Sequence, residues 1–216
     1  MKNKKSLIRI LRLTVVLGLA FLLNFGNVVM SADRLHDVNI GTDSNRIFSL
    51  ESYSDIYNVT ANTGVTSDGV MSVIGAVNSE LSQYSTIDYR TSYYGFVVND
   101  GVSLNLSDVL VQGALKTIGS GGVVYNSGIL TISNVIFKTN IVSGSSVYGG
   151  AIYNTGTINS LSGSFEGNVS RNSSGMAKGG AIYNVADING IEATFKENSA
   201  FGVSAYGGAI YNENSI

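Results

Sequence analysis

Two long stretches of this chain alternate between apolar and polar side chains. Leu161, Gly163 and Phe165 are separated by Ser162 and Ser164, and Ile191, Ala193 and Phe195 by Glu192 and Thr194. A period of two predicts strands with one buried face. Counted from Asn154 or Asn184, the apolar residues at +4, +7 and +11 also fit the stripe of an amphipathic helix. The residues between them decide for strand: "TINSLSGSFEGN" is made of Ser, Gly, Asn and Thr, all poor in a helix interior. A second strand is expected at 149–154, with Ile152 and its counterparts Ile182 and Ile210 inward; the opposite parity would turn Ala and Tyr inward. Leu130, Ile158 and Ile188 mark a third short stretch.

These elements recur. "GGAIYN" begins at 149, 179 and 207, and "GGVVYN" at 121, so the Gly pairs are spaced by 28, 30 and 28 residues. Phe-x-x-Asn occurs as Phe137 with Asn140, Phe165 with Asn168 and Phe195 with Asn198. From Asn126, Asn154 and Asn184 to the following Phe the count is always 11; from the second Asn to the next Gly pair it is 9, 11 and 9. One part admits no insertion and the other admits two residues, as a packed wall and a surface loop do.

A unit of this size, with three short strands and one loop, suits one coil of a parallel β-helix, in which equivalent residues stack about 4.8 Å apart. The repeated residues are then columns: Ala151, Ala181 and Ala209; the isoleucines; the phenylalanines; and Tyr153, Tyr183 and Tyr211. Asn154, Asn184 and Asn212 are expected to stack at a corner, each amide bonding its neighbour. The three glycine pairs, Gly149 and Gly150, Gly179 and Gly180, Gly207 and Gly208, are expected to permit close approach of successive coils. A degenerate first copy aligns Asn99 with Asn126, Leu110 with Phe137 and Gly113 with Asn140. The expected organisation is coils over 94–216, ending within a repeat, preceded by an irregular β-rich cap over 33–93, with "GAVN" at 75–78 a faint echo of the motif.

The first twelve residues hold five cations, Lys2, Lys4, Lys5, Arg9 and Arg12; an apolar run of eleven residues, 13–23, and the small-residue stretch "VVMSA" follow. That order reads as a secretory signal peptide over 1–32, cleaved after Ser31 or Ala32. The alternative is an uncleaved anchor, but a spanning helix needs about 20 apolar residues. Removing the leader takes five of 13 basic residues and none of 15 acidic ones, leaving a net charge of −7. Nucleic acid is therefore not an expected partner. With no cysteine, neither disulfides nor thiolate metal sites exist, and packing and hydrogen bonds alone hold the fold.

The joint occurrence of "GGAIYN" and "FxxN" behind a signal peptide resembles the polymorphic outer membrane proteins of chlamydiae and related autotransporter passengers, over roughly 94–216. The resemblance implies an all-β, right-handed parallel β-helix (a pectin-lyase-like solenoid). It also implies display at the cell surface and adhesion to a host-cell surface protein or glycan. An autotransporter ends in a membrane barrel of many alternating segments, and this chain lacks one. The expectation is therefore a fragment of a longer chain or a truncated product, tied to an outer membrane only through a barrel absent here.

β-Helices also host polysaccharide lyases and hydrolases, so catalytic carboxylates were sought. Sugar cleavage uses two carboxyl groups about 5–10 Å apart. In the regular coils the acids Glu166, Asp187, Glu192 and Glu197 fall at unrelated positions of the unit. His36 is the only histidine. No catalytic, metal or cofactor site is expected, and the protein reads as a binding or structural scaffold, not an enzyme. The rival readings are a carbohydrate-active enzyme with its site in 33–93, and an inactive truncated product. Asn58, Asn105, Asn168 and Asn172 sit in N-glycosylation patterns, which chance and corner ladders explain as well. For contacts there are two candidates: the tyrosine column, as an aromatic strip or as a purely stabilising ladder, and the nearly uncharged loops at 141–148, 169–178 and 199–206.

Overall fold

The structure is a computed structural model. It describes residues 69–89 and 95–214, together with the backbone of five earlier strands, Gly26–Met30, Leu35–Val38, Arg46–Leu50, Ile56–Val59 and Thr63–Val65. Among the described residues there is no helix, and every strand pairing is parallel except the local hairpin of Val77–Asn78 with Gln83 and Tyr84. The strands stack as a β-solenoid of about five turns. The leader reading lies outside the described residues except for Gly26–Met30, which pairs with Arg46–Leu50.

A broad wall forms one side of the solenoid. In the upper coils its strands are Ile129–Lys138, Thr157–Glu166 and Ile191–Lys196; below, Val102–Ser107 and Val109–Gln112 share the width of one. Pairing continues down to Gly69–Ile74 and Gln83–Asp88. Opposite runs a second sheet of short strands: Thr63–Val65, Phe96–Val98, Val124–Asn126, Ile152–Asn154, Ile182–Asn184 and Ile210–Asn212. The core lies between. Leu130, Ile132, Phe137, Ile152, Ile158, Leu161, Phe165 and Ile182 are all buried. The isoleucine-inward parity is the one adopted, and Tyr153 faces outward between buried Ile152 and Asn154.

The two glycines of the motif have separate jobs. Gly149 has φ +66, a left-handed conformation, and an added Cβ would lie 1.9 Å from the Ile152 carbonyl oxygen. Gly150 faces the next coil, where a Cβ would lie 2.2 Å from the Gly180 carbonyl oxygen. The first shapes the corner; the second lets the coils meet.

The last pair departs from this expectation at Gly208. Its carbonyl oxygen is the atom that Gly180 approaches, at 2.0 Å from a Cβ added there. A Cβ on Gly208 itself, however, would meet only the Asn198 carbonyl oxygen, at an ordinary contact distance of 3.7 Å. The reason is position: among the described residues no coil lies above Gly208. It is therefore not a point of close approach from its own side, whereas Gly150 and Gly180 are.

The constant count of 11 conceals two departures. Between Leu130/Thr131 and again between Ile132/Val135 the ladder with Thr157–Glu166 shifts register. Asn159 is an extra residue on the upper strand, and one of Ser133 and Asn134 is extra on the lower. The two bulges cancel. Asn134 takes φ 54, its N–H bonds Ser162 Oγ at 3.0 Å and its amide reaches Asp108 Oδ1 at 2.8 Å.

The expected alignment of the first copy is off by one residue, in opposite directions. Val98, not Asn99, pairs with Asn126; Val111, not Leu110, pairs with Phe137; and Ala114, not Gly113, donates its N–H to Asn140 Oδ1. Because successive strand residues face opposite sides, a one-residue slip turns a core side chain outward, and Val111 is buried where Leu110 is not. The turn at Asp100 and Gly101 absorbs the difference. "GAVN" is not an echo either: Val77–Asn78 form an antiparallel pair with Gln83 and Tyr84.

The segments expected as loops are strands. Ile141–Ser143, Val169–Arg171 and Ser199–Phe201 stack on Leu115–Lys116 as one sheet, and Val147–Tyr148, Met176–Lys178 and Ser204–Tyr206 as another. Val142, Val147, Ala177 and Ala200 pack together as a small second core. The result is a fin on the side of the solenoid. Alanines and serines looked like loop composition in the sequence; here they allow two sheets to close on a thin seam.

Candidate functional site

Two asparagine columns fix the corners. Asn126 Nδ2 donates to Asn154 Oδ1 at 2.7 Å, Asn154 to Asn184 at 2.6 Å, and Asn184 to Asn212 at 2.7 Å. In the Phe-x-x-Asn column, Asn168 Oδ1 accepts both the N–H and Nδ2 of Asn140, at 3.2 and 3.0 Å, while Asn168 Nδ2 reaches the Phe137 carbonyl at 2.9 Å. Asn198 repeats this toward Asn168 and Phe165. Phe137, Phe165 and Phe195 stack beside them with centroids 4.9 and 5.0 Å apart. The motif residues are thus spent on the scaffold.

Outside, Tyr125, Tyr153, Tyr183 and Tyr211 stack with centroid spacings of 4.9, 5.2 and 5.6 Å. The near face of the fin adds the register column Tyr148, Lys178 and Tyr206. Tyr148 stacks on Tyr183 at 4.8 Å, and Lys178 Nζ lies 4.3 Å from the Tyr211 ring centroid. Lys178 also pairs with Glu213 at 2.9 Å. Its hydrogen bond with Glu213 is the main reason the ammonium holds its proton more tightly than usual. The Glu213 carboxyl is correspondingly held below the ordinary carboxylate range, first by Lys178 and then by Tyr183. Burial, then the bond to Glu213, pushes the Tyr183 phenol up.

This geometry favours one of the two roles open to the column. A flat ligand would need a free ring face, and these faces are occupied by neighbouring rings; Tyr183 is itself buried, with its hydroxyl bonded to Glu213. The column joins fin to body.

A charged column crosses the wall: Asp88, Gln112, Lys138, Glu166 and Lys196 are register partners. Gln112 donates to Asp88 at 3.1 Å, and Lys138 lies 3.9 Å from Glu166. Glu197 sits 3.8 Å from Lys196, and Asp187 accepts from Asn214 at 3.0 Å. The carboxylates named from the sequence are thus engaged with lysines and an amide; Glu192 is exposed on the wall. Among the described residues no group of three or more His, Cys, Asp and Glu is placed to hold a metal. His36 has its backbone in Leu35–Val38, paired with Ile56–Val59. Asn168 and Asn172 are buried and hydrogen-bonded, so the folded coil has no room for a glycan at either; Asn105 bonds Ser72 at 3.2 Å.

Sequence reasoning missed two residues. Lys116 occupies the fin seam where the next coil has Val142; its Nζ donates to the Ser120 carbonyl at 2.6 Å and lies 5.5 Å from the Tyr125 ring. Burial lowers its pKa. Asn172 organises the fin tip, donating to the carbonyls of Ser145 and Met176 at 2.7 and 3.0 Å. It anchors the two extra residues of that coil. The tip carries exposed apolar side chains, Phe201 at 63% and Val203 at 77%, with Ile118 at 84% on the lowest coil.

Residues 192–213 match the Chlamydia polymorphic membrane protein repeat. The match runs from the wall, through the fin, to the tyrosine strand of one coil. It takes in Phe195, Asn198 and Gly207 to Asn212, residues whose earlier copies stack directly beneath, so the matched segment is most of one coil of this solenoid. No curated protein and no solved structure matches the chain.

Proposed function

We propose that this chain is a secreted or surface-displayed β-helix scaffold, a segment of an autotransporter-type adhesin that attaches to a host-cell surface protein or glycan. The observation that carries the reading is the polymorphic membrane protein repeat at 192–213, which belongs to a surface-protein family. The same match and the signal-peptide pattern support an outer-membrane or extracellular location. The fin supports the adhesive role. It is a rigid projection with its own core, locked by Asn172, and it presents Phe201 and Val203 to solvent. Recognition commonly falls on such elements held by a rigid frame.

The test is binding of the purified, leader-free chain to cultured host cells and to arrayed glycans. Saturable binding that is lost in a Phe201→Ser, Val203→Ser double variant of unchanged circular dichroism supports the reading. Cleavage of any polysaccharide in the array, or equal binding by the double variant, goes against it.

A further inference from the structure

The chain holds one Asn-Gly pair, Asn189-Gly190. Six asparagines of the coils, Asn126, Asn140, Asn154, Asn168, Asn172 and Asn184, are buried with their Nδ2 groups engaged. Asn189 and Gly190 are both exposed. They lie where the wall is least regular, between Ile188, which meets Ile158 through a single bridge, and Ile191, where the ladder resumes. Asn189 donates its N–H to the Ile158 carbonyl at 2.9 Å, and the Gly190 carbonyl accepts from Leu161 at 3.0 Å. Neither the Asn189 amide nor the Gly190 N–H has a hydrogen-bond partner among the described residues. A Cβ built on Gly190 meets nothing within 4 Å. The two reacting groups are therefore adjacent, solvated and unhindered.

We propose that Asn189 is a site of spontaneous succinimide formation and deamidation in the folded protein. The Gly190 backbone nitrogen attacks Asn189 Cγ, forming the N–Cγ bond. The Cγ–Nδ2 bond breaks, and the proton lost by the glycine nitrogen leaves with ammonia. Water then opens either carbonyl of the imide, giving aspartate or isoaspartate. The balance is one amide and one water to one carboxylate and one ammonium, and water is the only co-reactant. Glycine favours this step because no Cβ impedes the approach and its backbone is freer to turn. Asn198-Ser199 and Asn172-Ser173 also precede a small residue, but Asn198 Nδ2 is tied to the Phe165 carbonyl at 2.8 Å and Asn172 Nδ2 to the Ser145 carbonyl at 2.7 Å.

The product adds a negative charge between Asp187 and Glu192, on a chain already acidic once the leader is gone. The isoaspartyl form also inserts a carbon into the backbone just before the Ile191–Lys196 strand. Age would thus be recorded at the start of one coil, without any enzyme.

The full chain is incubated folded at neutral and mildly alkaline pH in heavy-oxygen water, digested and read by mass spectrometry, with isoaspartate counted by enzymatic methyl transfer. The expected result is conversion confined to the peptide holding Asn189, with heavy oxygen incorporated and a rate rising with pH. Gly190→Ala, a position with room for a methyl group, loses the conversion while keeping its circular dichroism. The proposal is overturned if Asn189 stays intact while a free peptide spanning 185–193 converts. It is equally overturned if the buried asparagines convert as fast, which would place the chemistry in the unfolded chain.

Discussion

Asn154 donates from Nδ2 to Asn184 Oδ1 at 2.6 Å, across 30 residues of chain. That bond is one rung of a column in which Asn154 and Asn184 each donate to the coil above and accept from the coil below, while Asn126 only donates upward and Asn212 turns its Nδ2 to the Asn214 carbonyl of its own coil. The rungs are unequal, because Asn154 is buried and Asn212 is exposed. Asn154→Ala strands the Gly156 carbonyl, which its Nδ2 now satisfies at 2.9 Å, and leaves Asn184 Oδ1 with only the Ala186 N–H at 3.4 Å. The expected cost is about 2–4 kcal/mol in urea denaturation, about 1–3 for the stranded carbonyl and about 1 for the lost rung. Asn212→Ala should stay within about 0.5 kcal/mol, as exposed positions do.

Phe165 is fully buried between Phe137 and Phe195. Phe165→Ala should cost about 3–5 kcal/mol, the transfer loss plus an unfilled cavity. Phe195 is only partly buried, and Phe195→Ala should cost less. Matched urea melts of the two variants check the order.

The motif glycines should differ sharply from Gly190. Gly149→Ala places a side chain in a left-handed backbone and against the Ile152 carbonyl, so a loss of at least about 2 kcal/mol is expected. Gly190→Ala meets open space and should be neutral or gain up to about 1 kcal/mol by restricting the unfolded chain. Thermal melts distinguish them.

Alkaline pH should act through the tyrosine column. Burial raises the Tyr183 and Tyr153 phenols, helped in Tyr183 by the bond to Glu213 and in Tyr153 by the neighbouring phenols of Tyr125 and Tyr148. A pKa raised on folding means the protonated form is favoured in the native state. The stability so gained is complete below the unfolded value of about 10 and is lost as pH rises through the folded value. Tyrosinate absorbance should therefore titrate in more than one step in the folded protein, with Tyr183→Phe removing the latest. In urea the curve should collapse to a single step.

The walls were legible in the sequence because their register is written in large apolar side chains at constant spacing, Phe137, Phe165 and Phe195 above all. The corner asparagines were legible because identical polar residues at identical positions must meet. The fin was not. Its interior is filled by Val142, Val147, Ala177 and Ala200, side chains too small and too few per strand to show a period. The first coil was misaligned because its markers are replaced by Val98, Val111 and Ala114, small apolar residues with neither the size nor the identity of the Asn, Phe and Asn above them. The paired bulges around Asn134 and Asn159 cancel in any count of residues, so only the ladder itself reveals them.

Sameness between coils carries a hazard. If every turn were alike, the uppermost coil could seat on the one two below it, looping out the middle turn and keeping nearly all its contacts. The column Lys138, Glu166 and Lys196 works against this error, since skipping the middle turn sets one lysine over another, and like charges directly opposed are penalised. The residues that break the repeat act as its address labels, telling each turn which neighbour is its own.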